Sequence, residues 1–231
     1  MKSAEQQAIF AIAITVIASY LYFLVLSRIN QVKKAKTVIV HVRLYLVRKL
    51  SGFTLLGLLP ALISFVFIGL QPFREAKLPV NSFQLWVWVL AVSFLLILLN
   101  QINSGSKDLQ AVYPEMRIRQ WNLGSIATAG GGWILYLTGY EYLFRGILLW
   151  GCINAFGIWP AVVINLALYS TLHLPKGLKE AFAAIPFGAL LCYLTIESSS
   201  ILPAIILHSV QAISTEISCI YRNKEMKFSI I

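Results

Sequence analysis

A series of long apolar runs governs what this chain can fold into. They are Ile9–Leu26, Phe53–Leu70, Phe83–Leu99, Ile126–Phe156, Ile158–Leu172, Ala181–Ile196 and Ile201–Ile220. Lipid offers no partner for backbone N–H and C=O groups, so each run is expected to be a helix of about 20 residues. Composition agrees. Hydrophobic residues make up 58% of the chain and charged residues 12%, against about 25% charged in an average soluble domain. The expected class is all-α, a polytopic transmembrane helix bundle of about seven spans, which excludes a soluble domain of useful size. No basic, Ser-rich stretch or small-residue cleavage site precedes the first run, so it reads as a retained span. Cys152, Cys192 and Cys219 sit in apolar stretches without metal-ligand spacing and predict buried thiols rather than a disulfide framework.

The net charge of +10 raises the question of nucleic acid, and its distribution answers it. Arg28, Lys33, Lys34, Lys36, Arg43, Arg48 and Lys49 crowd the first loop, Arg28–Ser51. Lys107, Arg117 and Arg119 fall in the third loop, Lys176 and Lys179 after the fifth span, and Arg222, Lys224 and Lys227 in the tail. Taken as one kinked span, Ile126–Phe156 puts all of these on one side, leaving Lys2, Arg74 and Lys77 on the other. Taken as two spans, it destroys the asymmetry. The positive-inside rule then makes the crowded side cytoplasmic and the N-terminus external, as in a bacterial inner membrane. The basic loop is expected to touch anionic lipid, and no nucleic-acid partner is expected. Gly130-Gly131-Gly132 interrupts the long run and is expected to precede the helix that carries Glu141.

Charged and polar side chains inside such runs are costly, by about 2.5–3.5 kcal/mol each for a charge at the bilayer centre, and normally face a protein interior. Glu141 and Arg145 stand four apart in GYEYLFRG, acid before base, the favourable order on one helix face. His173 ends the fifth span and His208 lies within the last. Glu216, nearer the end of that span, is a weaker case. The bland reading of Glu141 and Arg145 is a structural ion pair. Two intramembrane histidines and a carboxylate on three helices are, in addition, able to bind a divalent metal such as zinc or to activate water.

These motifs resemble the CAAX protease and bacteriocin-processing family of intramembrane proteases, which carries Glu-Glu-x-x-x-Arg, Phe-x-x-x-His and His-x-x-x-Asn on successive helices. The corresponding segments are Tyr140-Glu141-Tyr142-Leu143-Phe144-Arg145, Tyr169-Ser170-Thr171-Leu172-His173, and His208-Ser209-Val210-Gln211-Ala212. The resemblance covers roughly residues 124–217. It divides the chain into an N-terminal three-span region, 1–123, and a four-helix core, 124–231. Tyr140 departs from the family's first glutamate, Ala212 from its asparagine, and Tyr169 from its phenylalanine. Glu180 stands where a branch of the family has a further acid, and Pro175 and Gly177 break the helix before it.

The resemblance implies an intramembrane endopeptidase acting on a protein or peptide substrate. Glu141 would be the general base, Arg145 would orient it, and Glu180 would be a second acid. His173 and His208 would either ligate a metal together with Glu141 or stabilise the oxyanion. No His-Glu-x-x-His or Gly-x-Ser-x-Gly is present, which argues against a three-histidine zinc site and a serine nucleophile. The rival readings are an inactive family member serving as scaffold or subunit of a membrane complex, on account of Tyr140 and Ala212, and a transporter, since intramembrane acids also mark ion paths.

Overall fold

The computed structural model describes residues 3–32, 38–68 and 83–229. Helix α1 covers Ala4–Val32. Helix α2 (Val38–Phe53) passes through a π-helical turn, Thr54–Leu58, into α3 (Leu59–Ile68). Next come α4 (Phe83–Asn103), the short α5 (Lys107–Val112) and the two-residue strand β1 (Gln120–Trp121). Helix α6 (Leu123–Glu141) continues through a π-helical segment, Tyr142–Leu149, into α7 (Trp150–Phe156). Helices α8 (Ile158–Thr171), α9 (Leu178–Ser198) and α10 (Leu202–Arg222) complete the bundle, and β2 (Lys227–Phe228) pairs with β1 in parallel. Six helical stretches among the described residues are long and apolar enough to cross a membrane. The α6–α7 run is a further uninterrupted stretch, with 19, 8 and 7 residues in its three parts.

Local sequence sets these boundaries. Asn122 accepts from the Ser125 amide while the Ser125 side chain accepts from the Asn122 amide, a reciprocal cap that starts α6 at Leu123. The glycine triplet therefore does not interrupt the run, and the helix carrying Glu141 begins well before Trp133. The departure from α geometry comes later, at Tyr142–Leu149. After His173 the chain turns through Leu174–Lys176 and reaches Gly177 at φ +113°, a conformation that glycine adopts without a Cβ penalty.

The first basic segment also differs from expectation. Because α2 begins at Val38, Arg43, Arg48 and Lys49 lie on a helix rather than in a loop, and Lys49 is buried. Lys2, Lys33, Lys34, Lys36, Arg74 and Lys77 lie outside the described residues.

The main core draws on both halves of the chain. Ala11, Ile14, Ala18 and Tyr22 of α1 and Leu56 share one cluster with Leu137, Tyr140, Phe144, Tyr169 and Cys192. A close backbone approach lies where the α2–α3 turn crosses α6. A Cβ on Gly57 would sit 2.5 Å from the Gly139 Cα, and one on Gly139 would sit 3.0 Å from the Phe53 carbonyl. Small residues let helix backbones approach in this way where lipid supplies no hydrophobic drive between them.

One end of the bundle gathers chain segments that the sequence separates. Arg48 of α2 and Lys176 after α8 both reach Glu115, and β1 meets β2 from the tail. Glu115 precedes the α6–α7 run and Lys176 follows α8, so those two elements form a hairpin whose ends meet on one side. That arrangement fits a single crossing by the α6–α7 run.

Candidate active site

Glu141 closes α6 and is fully buried. Its Oε1 lies 2.5 Å from His208 Nδ1 on α10, and its Oε2 lies 3.1 Å from Arg145 Nη1 one turn along its own helix. The two helices are antiparallel, and a second pair fixes their register. The Trp133 indole N–H donates to Glu216 at 3.4 Å, eight positions before Glu141 on one helix and eight after His208 on the other. At 1.5 Å rise per residue, the Glu141–His208 pair lies about 12 Å deeper than the Trp133–Glu216 pair.

The π-helical segment Tyr142–Leu149 follows Glu141 directly. The Asn165 amide of α8 donates to the Phe144 carbonyl at 2.6 Å, satisfying a backbone group within the π-helical segment. Arg145 is held on three sides. Its Nη2 donates to the Gly188 carbonyl at 3.2 Å, its guanidinium carbon lies 4.3 Å from the centre of the Tyr169 ring, and its charge balances that of Glu141.

His173 enters from the end of α8. Its Nδ1 lies 3.1 Å from the Tyr169 carbonyl, and its ring is nearly parallel to that of His208, with centres 6.4 Å apart. A carboxylate and a carbonyl only accept, so Nδ1 is the donor in both imidazoles and each neutral ring carries its lone pair on Nε2. Tyr140 stands edge-on to both, 5.6 Å from His208 and 6.4 Å from His173 between ring centres, with its hydroxyl 3.4 Å from the same Tyr169 carbonyl. Glu141, Arg145, His173 and His208 are thus gathered in one buried cluster, together with the two tyrosines at positions 140 and 169.

The remaining candidates lie apart from it. Glu180, in the first turn of α9, is half-buried and makes no hydrogen bond or ion pair to Glu141, His173 or His208 among the described residues. Ala212 packs in the main core one turn beyond His208. Among the described residues, no three His, Cys, Asp or Glu side chains lie together closely enough to hold a metal ion. Catalytic zinc usually takes three protein ligands. Here Glu141 is engaged by His208 and Arg145, which leaves two imidazole lone pairs, so this donor set does not fit the usual site.

A second polar cluster, which little in the sequence points to, lies towards the shared end of the bundle. Glu115 pairs with Lys49 at 2.8 Å and Arg48 at 3.2 Å, and Lys176 approaches at 3.9 Å. The Lys49 ammonium also lies over the Trp133 ring, 2.8 Å from its centre, and Lys176 donates to the Tyr113 hydroxyl at 2.6 Å. Burial alone would raise the Glu115 carboxyl, and the three cations override it, holding the group well below the usual carboxylate range. Glu216 accepts from the Glu115 and Met116 amides, tying this loop to α10. Glu115 sits in an ordinary-looking polar loop, so only the intramembrane position of Glu216 hinted at the cluster.

The family model described as type II CAAX prenyl endopeptidase Rce1-like matches residues 122–213, the segment that runs from the α6 cap to the turn after His208. No curated protein and no solved structure matches the chain.

Proposed function

We propose that this chain, a member of the CAAX protease family, is an intramembrane endopeptidase that hydrolyses a peptide bond with water activated by the Glu141–His208 pair. The observation that carries this reading is the 2.5 Å contact between the Glu141 carboxylate and His208 Nδ1, both buried in the interior of an integral membrane protein. A carboxylate on Nδ1 fixes the tautomer and leaves Nε2 as the proton acceptor. It also stabilises the imidazolium that forms when that proton arrives.

Water attacks the substrate carbonyl carbon while its proton passes to His208 Nε2. The carbonyl π electrons move onto oxygen. When the tetrahedral species collapses, the carbon–nitrogen bond breaks and the imidazolium proton goes to the leaving amine. Arg145 neutralises Glu141 in the resting site, so the carboxylate is buried without a net charge cost of several kcal/mol. His173 offers a second Nε2 lone pair that orients the attacking water. Positioned acid–base groups of this kind contribute about 10²–10⁴-fold. Glu141 therefore works through His208, in place of direct proton abstraction from water.

The substrate is a protein or peptide that reaches the site within the bilayer, and lipid is the constant partner. The gathering of Arg48, Lys49, Lys176 and the segment around Lys227 at one end supports a cytoplasmic location for that end, with the N-terminus outside.

The test is hydrolysis in proteoliposomes that hold the purified chain and a mixture of membrane proteins, in ¹⁸O-labelled water. Mass spectrometry of new C-termini should find single ¹⁸O incorporation with wild type, with or without a chelator, and none with Glu141→Gln. Equal termini in both preparations, or none in either, would reject the hydrolase and favour a scaffold.

A further inference from the structure

The geometry points to Tyr140 as a catalytic residue that donates the hydrogen bond to the oxyanion of the tetrahedral intermediate. This inference rests on the hydrolase reading above.

It follows from counting donors. An oxyanion formed in a site that excludes water must be met by an N–H or O–H group. Glu141 only accepts. The His208 Nδ1–H is given to Glu141 and the His173 Nδ1–H to the Tyr169 carbonyl, so both rings turn lone pairs towards the remaining space. Arg145 directs Nη1 to Glu141 and Nη2 to the Gly188 carbonyl, and its Nε, although without a hydrogen-bond partner, belongs to a guanidinium held against Glu141. Two phenol donors remain among the described residues of the site: the Tyr169 hydroxyl, which has no hydrogen-bond partner and whose ring lies against the Arg145 guanidinium, and the loosely held Tyr140 hydroxyl. Its bond to the Tyr169 carbonyl is 3.4 Å long, beyond the usual range for an O–H donor, and that carbonyl already serves His173. Giving up this bond for an oxyanion loses little.

The ring is held where the donor must be. Tyr140 is 2% exposed, stacked on Phe144 at 4.8 Å and edge-on to both imidazoles, so its hydroxyl is fixed beside the rings that handle the water. Ser209, another hydroxyl without a hydrogen-bond partner, lines the apolar groove between α4, α6 and α10. During attack the Tyr140 proton stays on its own oxygen. The water proton goes to His208, and the carbonyl electron pair that becomes the oxyanion is met by the phenol.

Tyr140→Phe keeps the ring and removes only the donor. In detergent-purified protein with a peptide identified from the ¹⁸O termini, its kcat should fall about 10²–10³-fold with KM unchanged, the size expected for one oxyanion donor. Affinity for a phosphonate analogue of the same peptide should fall by the same factor as kcat/KM, while the unfolding temperature stays near wild type. Ser209→Ala should retain wild-type kcat. A Tyr140→Phe protein with wild-type kcat and analogue affinity overturns this inference and leaves the hydrolase reading standing. Loss of activity in Tyr169→Phe or Ser209→Ala with retention in Tyr140→Phe assigns the donor to that other hydroxyl and also overturns it. A wild-type protein that yields no ¹⁸O-labelled termini removes both readings at once.

Discussion

The Glu141 carboxylate and the His208 imidazole, 67 positions apart in the chain, meet at 2.5 Å inside the bundle. The contact depends on the antiparallel register of α6 and α10, which the Trp133–Glu216 bond fixes two turns away, and on the close crossing of α6 by the α2–α3 turn. The second polar cluster bears on the same register, because Glu216 holds the Glu115 loop while Glu115 holds Lys49 and Arg48.

That cluster makes a prediction about stability and pH. Glu115→Gln leaves three cations facing a neutral amide, and breaking a buried pair in this way costs about 3–5 kcal/mol. The folded-state carboxyl lies below its unfolded value, so its contribution is complete above the unfolded value and disappears as pH falls through the folded one. The stability gap between wild type and Glu115→Gln, measured by denaturant unfolding in detergent, should persist down to about pH 5 and begin to close only below about pH 4. A gap that closes near pH 6 would show that another group controls it.

The crossing of α6 by the α2–α3 turn predicts that Gly57→Ala is damaging out of proportion to its size. A methyl there would lie 2.5 Å from the Gly139 Cα, so the backbones must separate. The expected loss is about 1–3 kcal/mol, as for other overpacked positions. Gly131→Ala, where an added Cβ meets nothing within 4 Å, should be near neutral in the same thermal unfolding assay. Equal effects from the two substitutions would mean that the crossing is looser than described.

Orientation can be read with single cysteines in a background lacking Cys152, Cys192 and Cys219. Lys107→Cys and Lys224→Cys, both exposed at the shared end, should stay unlabelled by an impermeant thiol reagent on intact cells and react after permeabilisation. Asn154→Cys, at the opposite end of the α6–α7 run, should label without permeabilisation. Opposite behaviour of Lys107 and Lys224 would require an odd number of crossings between them, in place of the four made by the α6–α7 run, α8, α9 and α10.

Much of the fold was legible in the sequence, because lipid forces every apolar run into a helix and the charges between runs sort by side. Residues 122–213 also bore the family pattern in readable form. Boundaries were less legible. Lys49 reads as one more basic loop residue, yet it is buried on a helix, since its partner Glu115 arrives from a loop 66 positions later. The glycine triplet reads as a break, yet α6 runs through it once Asn122 and Ser125 cap the helix. In the site, Glu141, Arg145 and the two histidines stood out because charge and imidazole are rare in apolar runs. The direction of their hydrogen bonds did not. Sequence spacing cannot say that His208 turns Nδ1 to Glu141, and this is what moves the proposed proton acceptor from the carboxylate to the imidazole. Tyr169 likewise reads as a minor change from phenylalanine, while its ring lies against the Arg145 guanidinium and its hydroxyl is buried without a hydrogen-bond partner.

The claim that Glu141 and His208 act as one unit is tested most directly by a double-mutant comparison of turnover. Groups that act together lose nearly everything when either is removed. Glu141→Gln and His208→Ala should each lower kcat about 10²–10⁴-fold in purified, folded protein. The double variant should be no slower than the worse single one. If instead the two losses multiply, the carboxylate and the imidazole work independently, and a wild-type rate in either single variant would contradict the account outright.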